Sequence, residues 1–316
     1  MYEQYYSLTK PPFANVPDPA FLYLSPQHKR ALSILTYAMM TRAGFCVVTG
    51  DVGSGKTMLV RKLLQEIDLD VEVGLVSNTR CESFEELLRW ILLAFDLEYR
   101  GQDKVEMYDT FVSYAIEQFG RGQPVTLIID EAQHLSIENL EQLRMLSNVN
   151  TEKGQVLQTI LVGQPELWEL LRDPAISQFA QRISYDYFLS PLDSPELIGE
   201  YIRHRLRIAG GDEELFEPET LPLIWMATGG VPRLINLVCD AAMVYGYAEE
   251  VEHIGCAIID QVLKDKERGF SPIGNRRRVK ADSGPGDAPS TPVTEVKPKE
   301  KLSTIERAAA RRRKQS

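Results

Sequence analysis

An eight-residue segment at positions 50–57, GDVGSGKT, restricts the fold of this chain more than any other feature of the sequence. It fits the phosphate-binding pattern Gly-x-x-x-x-Gly-Lys-Ser/Thr. Glycine tolerates backbone conformations that other residues avoid, so such a loop can curl with its N–H groups directed at a phosphate. The apolar residues 45–49 before the loop predict a buried strand, and residues 58–66 after it predict a helix. This context of strand, loop and helix predicts a nucleotide-binding α/β domain.

The residues of the loop have predicted parts in holding a nucleotide. Lys56 is expected to reach the β- and γ-phosphates, and Thr57 is expected to offer its hydroxyl to Mg²⁺. The helix that begins here adds the positive end of its dipole. The predicted nucleotide contacts are Gly50, Asp51, Val52, Gly53, Ser54, Gly55, Lys56, Thr57 and Met58. The sequence therefore predicts ATP and Mg²⁺ as the molecules bound here.

A second apolar run, residues 125–129, ends in two adjacent carboxylates, Asp130 and Glu131. Taken alone, such a pair is usually a solvated turn. Here it stands 74 residues after Lys56 at the end of a predicted strand, which is the Walker B arrangement. Asp130 is expected to hold Mg²⁺ with Thr57, and Glu131 to orient and polarise the attacking water.

The chain alternates strands with helices as far as residue 192 and continues with helices only. Strands are predicted at 45–49, 71–77, 125–130, 157–162 and 183–189, and helices at 58–66, 83–95, 103–119 and 136–147. This alternation predicts an α/β fold with a parallel sheet covered on both faces. Further helices are predicted from Ser194 to the Gly210-Gly211 pair and at 218–226, 232–247 and 256–266. The predicted parts are a nucleotide-binding domain over 1–192, including an N-terminal segment at 1–40, a helical lid domain over 193–268, and a tail over 269–316.

The charge of the chain is divided unevenly. Residues 271–316 hold 12 Lys and Arg against 5 Asp and Glu, with 5 prolines and no aromatic residue. The rest of the chain holds 23 basic and 40 acidic residues, so its body is acidic and its tail is basic. A segment of this composition buries too little apolar surface to order itself, which predicts a disordered tail. The tail is either a solubilising extension or an electrostatic contact with nucleic acid, anionic lipid or an acidic partner.

Further observations disfavour other classes of protein. The four cysteines are scattered without a CxxC pair and the four histidines are dispersed, which predicts reduced thiols and no zinc or iron site. No run of about 18 uninterrupted apolar residues occurs, so no membrane span is predicted. The first residues lack a basic segment followed by an apolar stretch, so the expected location is the cytoplasm.

Taken together, these motifs resemble those of an AAA+ ATPase, and more narrowly those of the ExeA/GspA-type ATPases of bacterial secretion and pilus-biogenesis systems. The resemblance covers about residues 1–268 and includes PPF at 11–13, PDPAFLYLS at 17–25, DEAQ at 130–133, LVGQPEL at 161–167, QRI at 181–183 and GGVPRLIN at 229–236. It implies a three-layer P-loop NTPase fold with a C-terminal helical lid, and an ATP hydrolase that works as a homo-oligomer.

The family pattern implies roles for three more side chains. Gln164 occupies the place of the polar sensor 1, although a polar loop residue before Pro165 would look the same. Arg182 lies where AAA+ proteins carry the arginine finger that completes a neighbouring subunit's site. A surface salt bridge is the alternative for Arg182, and Arg172 is a rival for the role. Arg233 resembles sensor 2, which ties the lid to the γ-phosphate.

Two other assignments follow from the same resemblance. Asn78, after the second strand, could hold Glu131 away from water until a partner binds. Residues 21–28 are implied to contribute to the adenine pocket, with ordinary packing as the alternative for Tyr23 and His28.

Members of the secretion type commonly continue into a membrane span and a peptidoglycan-binding domain, and this sequence contains neither, so a direct part in cell-wall remodelling is not expected. The leading hypothesis is a cytoplasmic ATPase, peripheral to the inner membrane, that drives or switches assembly of an envelope secretion, pilus or polysaccharide-export apparatus through a partner protein. The alternative is a nucleic-acid-binding AAA+ regulator similar to the ATPases that select transposition targets. The basic tail favours this alternative, whereas the acidic body disfavours it. A nucleotide-binding adaptor without catalysis is disfavoured because Lys56, Thr57, Asp130 and Glu131 are all present.

Overall fold

The structure is a computed structural model that describes residues 1–16, 18–66, 71–77, 79–148, 150–151, 154–268 and 273. These residues belong to one compact unit, Met1–Arg277. Asn78 and, apart from Ile273, the predicted tail 269–316 lie outside the described residues.

The described strands and helices follow each other as the alternation of the sequence predicts. The strands are β1 (Phe45–Gly50), β2 (Glu72–Val76), β3 (Val125–Ile129), β4 (Asn150–Thr151), β5 (Gly154–Gln155), β6 (Leu157–Gly163) and β7 (Ile183–Leu189). The helices are α1 (Tyr2–Tyr5), α2 (Pro26–Met40), α3 (Lys56–Glu66), α4 (Phe84–Ala94), α5 (Lys104–Gly120), α6 (Ile137–Leu146), α7 (Glu166–Leu171), α8 (Ser177–Ala180), α9 (Pro195–Ile208), α10 (Thr220–Thr228), α11 (Pro232–Ala248) and α12 (Cys256–Arg268). Short 3₁₀ turns lie at Pro19–Phe21, Ala132–His134 and Pro174–Ile176.

Five strands form one parallel sheet in the order β2-β3-β6-β1-β7. All residues of β1, β3 and β6 are buried, as continuous apolar runs predict for strands covered on both faces. Because the strands are parallel, the loops that follow β1, β3 and β6 leave the sheet at the same edge. The predicted α/β fold is confirmed, and its sheet brings the phosphate-binding loop, the Asp-Glu pair and Gln164 to one edge.

Two apolar clusters cover the two faces of the sheet. One cluster is built by α4 to α8 and contains Leu88, Phe111 and Leu143. The other is built by α2 and α3 and contains Leu35 and Leu59. The sheet is therefore the middle of three layers, as the family resemblance implies.

Helix α2 is a feature that the sequence analysis did not predict within residues 1–40. Ser25 caps its N-terminus by accepting a hydrogen bond from the backbone N–H of His28, and Pro26 occupies the first turn. Its buried face repeats at helical spacing through Ala31, Leu35 and Ala38. The helix packs against β7, an end strand of the sheet, and against α3, which follows the phosphate-binding loop.

The four C-terminal helices, α9 to α12, bury a third apolar cluster that includes Ile202, Ile235 and Ile259. Tyr6 and Phe13, from the beginning of the chain, lie in the same cluster. The N-terminal segment thus packs against the helical lid. The division of the chain at residue 192 remains a prediction.

Gly230, at the turn between α10 and α11, links the lid to the end of the sheet. Its carbonyl accepts the N–H of Leu192 at 2.9 Å, its φ is +74°, and a Cβ added there would lie 1.8 Å from the Leu192 carbonyl oxygen. We expect Gly230→Ala to lower the free energy of unfolding by about 3 kcal/mol, because backbone strain and a backbone clash add. Urea unfolding measures this change.

Gly120→Ala is the matched control, because a Cβ there meets nothing within 4 Å and this glycine ends helix α5. It should change the free energy of unfolding by no more than about 1 kcal/mol. Equal unfolding midpoints for the two variants would contradict the role of Gly230.

Candidate active site

The phosphate-binding loop lies between β1 and α3, and two of its glycines adopt conformations that other residues rarely take. Gly53 has φ +80° and Gly55 has φ +100°. A Cβ at Gly53 would lie 2.4 Å from the Cβ of Arg233, and one at Gly55 would lie 2.9 Å from Nε2 of His28. Both conformation and space therefore require glycine, and the loop is held closely between the lid and α2.

Lys56 begins α3 and turns its side chain back along the loop. Its Nζ donates hydrogen bonds to the carbonyls of Gly50 at 2.7 Å and Asp51 at 3.0 Å. Burial lowers the pKa of Lys56, while the carboxylates of Glu131 and Asp130 oppose this shift. The ammonium group thus lies within the loop, near the carboxylates of Asp130 and Glu131.

Thr57 and Asp130 meet at the same edge. The Thr57 hydroxyl donates to Oδ2 of Asp130 at 2.8 Å, and the backbone N–H of Glu131 donates to Oδ1 at 2.9 Å. Within the described ranges, no three or more His, Cys, Asp or Glu side chains converge on one point. A hydroxyl and a carboxylate suit Mg²⁺, which keeps several waters and is completed by phosphate oxygens.

Glu131 is held in a defined position by three neighbours. Its backbone is left-handed, with φ 54° and ψ 36°, and its carbonyl accepts the hydroxyl of Thr79 at 2.8 Å. Its Oε2 accepts the side-chain amides of Gln133 at 2.6 Å and Gln164 at 3.0 Å. A non-glycine residue in this backbone conformation costs of order 1 kcal/mol and is frequent at functional sites.

The charge of Glu131 follows from these contacts. Burial raises the pKa of the carboxyl, but the amide donors of Gln133 and Gln164 and the positive charge of Lys56 together hold the pKa of Glu131 below its usual value. The side chain is therefore an anion, the form that accepts a proton from water.

Gln133 is a site residue to which the sequence analysis gave no role. Besides bonding Glu131, it accepts the backbone N–H of Gln164 through Oε1 at 3.0 Å. It therefore connects the Walker B carboxylate to the end of β6. The DEAQ motif contained this residue, but the contact could not be read from the sequence because it joins two separate strands.

A cleft of about 410 Å³ opens above the phosphate-binding loop. Its lining comes from the N-terminal segment, the loop, the sheet edge and the lid. The predicted adenine-pocket segment contributes Phe21, Leu22, Tyr23 and His28 to this lining. A volume of this size, with apolar walls and a few polar groups, is typical of a nucleotide-sized ligand.

Arg205 and Tyr201 from α9 also line the cleft, and neither was predicted as a site residue. The Arg205 guanidinium donates to the carbonyls of Pro12 and Ala14 and to the Tyr201 hydroxyl, and lies over the Phe21 ring at 4.9 Å. These contacts fasten the N-terminal segment to the lid as one wall of the cleft.

The three side chains that the resemblance singled out occupy different places. Gln164 and Arg233 line the cleft, and the backbone N–H of Arg233 donates to the carbonyl of Gly53 at 3.3 Å. Arg182 is exposed between α8 and β7, with Nη1 3.5 Å from Oγ of Ser147, and is not among the described residues that line the cleft. Its rival Arg172 lies with its guanidinium 5.9 Å from the Trp168 ring. Neither Arg182 nor Arg172 therefore lines the cleft of its own chain.

The hydrogen-bond donors and the possible metal ligands of this site suit a nucleotide. The first N–H groups of α3 have no intrahelical carbonyl to bond, which leaves donors for an anion. Oγ of Ser54 is buried and has no hydrogen-bond partner among the described residues. These donors, Lys56 and the pair of Thr57 and Asp130 fit a phosphate chain with Mg²⁺.

The sequence of this chain matches a known domain model and resembles a known protein. Residues 39–171 match the family model described as AAA domain. The chain contains an AAA domain. It is 38% identical over 249 residues to General secretion pathway protein A of Aeromonas hydrophila, covering 78% of this chain and 45% of that relative. The resemblance to the ExeA/GspA type is therefore confirmed, and the chain spans less than half the length of this relative.

Solved structures share the fold at low identity. The ORC2 protein of Aeropyrum pernix has a TM-score of 0.60 at 16% identity, covering 80% of this chain and 71% of that one. CDC6P of Pyrobaculum aerophilum has a TM-score of 0.61 at 18% identity, covering 79% and 71%. The RuvB branch migration motor of Thermotoga maritima has a TM-score of 0.53 at 18% identity, covering 80% and 74%. These likenesses bear on the fold alone. Among the described helices, none is both long and apolar enough to cross a membrane.

Proposed function

We propose that this AAA protein binds ATP with Mg²⁺ and hydrolyses the β–γ phosphoanhydride. The observation that carries the proposal is the position of Glu131. Its carboxylate lies on the sheet edge beside the phosphate-binding loop and is aimed by two amide donors, Gln133 and Gln164. A carboxylate so placed serves as a base for water, for which a protein that only binds nucleotide has no need.

The proposed roles follow the chemistry of each group. The loop N–H groups and Lys56 bind and neutralise the phosphates, while Thr57 and Asp130 hold Mg²⁺. Glu131 takes a proton from the attacking water as the bond from water oxygen to γ-phosphorus forms and the bond from γ-phosphorus to the β–γ bridging oxygen breaks, which releases ADP and inorganic phosphate. Gln164 and Arg233, which line the cleft, stabilise the γ-phosphate.

We also propose that the active form is a homo-oligomer. The exposed position of Arg182 supports this proposal, since its guanidinium makes a hydrogen bond of 3.5 Å to Ser147 and an exposed side chain can turn toward a second chain. An arginine supplied by a neighbour stabilises the charge that develops on the transferred phosphoryl group. ATP would then order the contact between subunits, and hydrolysis would release it.

The partner of this ATPase is proposed from its relative. We propose that this chain drives or switches assembly of an envelope secretion, pilus or polysaccharide-export apparatus from the cytoplasmic side of the inner membrane. The name of its relative, General secretion pathway protein A, supports a part in secretion. The alternative is a nucleic-acid-binding regulator, favoured by the 12 Lys and Arg of residues 271–316.

The test of the shared site is the ATPase rate per chain measured against protein concentration. We expect the specific activity of the wild type to rise with concentration, and that of Arg182→Ala to fall by about 10³-fold, the size of effect known for arginine fingers. Arg172→Ala tests the other candidate for the arginine finger. Arg121→Ala, which removes an exposed partner of Glu117, is the control.

The same measurement is repeated with added DNA. A rate that DNA stimulates, with steep salt dependence, would support the nucleic-acid function instead of the envelope function. A rate per chain that is independent of concentration and unchanged in Arg182→Ala would contradict the shared site.

A further inference from the structure

His28 is a buried side chain, 4% exposed, that touches the phosphate-binding loop from outside the known motifs. It lies in the first turn of α2. Its Nδ1 is 2.7 Å from Oγ of Ser25, and its Nε2 is 3.1 Å from the carbonyl oxygen of Ser54. The ring also abuts Gly55, where an added Cβ would lie 2.9 Å from Nε2. Both ring nitrogens are therefore used, one of them on the loop itself.

The partners of His28 determine where its proton lies. A carbonyl oxygen only accepts hydrogen bonds, so Nε2 carries the hydrogen and donates it to Ser54. Nδ1 then accepts the hydroxyl hydrogen of Ser25, and Oγ of Ser25 accepts the backbone N–H of His28 at 3.3 Å. Burial lowers the pKa of His28, which agrees with a neutral ring.

This hydrogen bond has a consequence for the backbone of the loop. In a trans peptide, the C=O of one residue and the N–H of the next point in opposite directions. A Ser54 carbonyl held toward His28 thus directs the Gly55 N–H away from the ring. Loops of this kind hold phosphates with such N–H groups, and Gly55 tolerates the required φ of +100°.

We infer that His28 is a positioning residue that fixes the Ser54–Gly55 peptide so that the Gly55 N–H faces the phosphates. The inference rests on the proposed function, because it concerns the binding of the same nucleotide. A positioning role differs from ordinary packing in what the side chain contributes. A packing residue contributes only volume, whereas a positioning residue contributes a hydrogen-bond donor.

Two substitutions separate the donor from the volume. His28→Leu fills the space without a donor, whereas His28→Gln keeps an amide N–H near the place of Nε2. We expect His28→Leu to raise the Kd for ATP with Mg²⁺ by about tenfold, the size of one hydrogen bond, and His28→Gln to restore it to within about threefold of the wild type. The Kd is measured by calorimetry, kcat by phosphate release, and the unfolding midpoint without nucleotide.

His253→Leu is the matched control, because His253 is exposed in the lid. It should bind ATP as the wild type does. In the positioning variants the loss should appear in Kd and KM more than in kcat, since Glu131 and its two amides are untouched.

Several outcomes decide the inference. A folded His28→Leu variant with wild-type Kd overturns it, and so do two folded variants that lose binding equally, since the donor would then be irrelevant. If His28→Leu does not fold, His28→Gln decides: near wild-type binding supports the inference, and weak binding or failure to fold overturns it. A wild-type chain that binds no ATP would overturn the proposed function together with this inference, whereas wild-type binding with no effect of His28 overturns the inference alone.

Discussion

Replacing Glu131 by Gln is expected to stop ATP hydrolysis while leaving ATP binding intact. A neutral amide cannot take the proton of the attacking water, and loss of a general base costs about 10²- to 10⁴-fold in kcat. Binding should survive because the Gln oxygen can still accept the amides of Gln133 and Gln164, which bond Oε2 of Glu131. The change therefore removes a charge without disturbing the position of the side chain.

The measurement pairs single-turnover hydrolysis with equilibrium binding of ATP. The Glu131→Gln variant, which stays in its ATP-bound state, should also accumulate as an oligomer, and light scattering detects this change. Glu138→Gln, in the exposed first turn of α6, is the control and should leave both quantities unchanged. Hydrolysis at the wild-type rate in Glu131→Gln would show that another group activates the water.

Replacing Lys56 by Ala is expected to abolish measurable ATP binding. The ammonium lies within the loop, 2.7 Å from the Gly50 carbonyl, and no other cation of the loop would balance the phosphates. Hydrogen bonds to charged groups contribute about 1.5–3 kcal/mol each, so losing those to the phosphates should weaken binding by about a hundredfold or more.

Lys62→Ala is the matched control for this variant. Lys62 lies on the same helix and pairs with Glu66 at 3.0 Å, with part of its side chain in solvent. It should bind ATP normally, because surface ion pairs of this kind contribute little. Unchanged nucleotide affinity in Lys56→Ala would refute the assignment of the phosphate-binding loop.

Local patterns predicted the sheet and most helices, because each depends on residues close together in sequence. The apolar run at 125–129 and the Gly-rich loop at 50–57 were sufficient to place β3 and the start of α3. A Ser N-cap followed by Pro begins both α2 (Ser25, Pro26) and the predicted α9 (Ser194, Pro195), so the missed helix α2 did carry a readable signal.

The side-chain network of the site was less predictable. Gln133 bonds Gln164, and Arg205 bonds Pro12 and Ala14, through contacts that join distant parts of the chain. No periodicity encodes such contacts, because they depend on how whole layers pack. The roles of Arg182, Gln164 and Arg233 stay predictions, and Asn78 lies outside the described residues.

The packing of the first residues into the lid also bears on the order in which the chain folds during synthesis. The Thr9 hydroxyl donates to the Ala209 carbonyl across 200 residues, and Tyr6 and Phe13 complete the apolar cluster of α9 to α12. These residues leave the ribosome before their partners, which follow about 200 residues later, so closing this contact carries the entropy of a very long loop. The five-stranded parallel sheet can assemble before the N-terminal segment meets its partners in the lid. The wall that Arg205 builds around the cleft is therefore among the last parts to form, and a nascent chain acquires its complete nucleotide site only when synthesis has passed the lid.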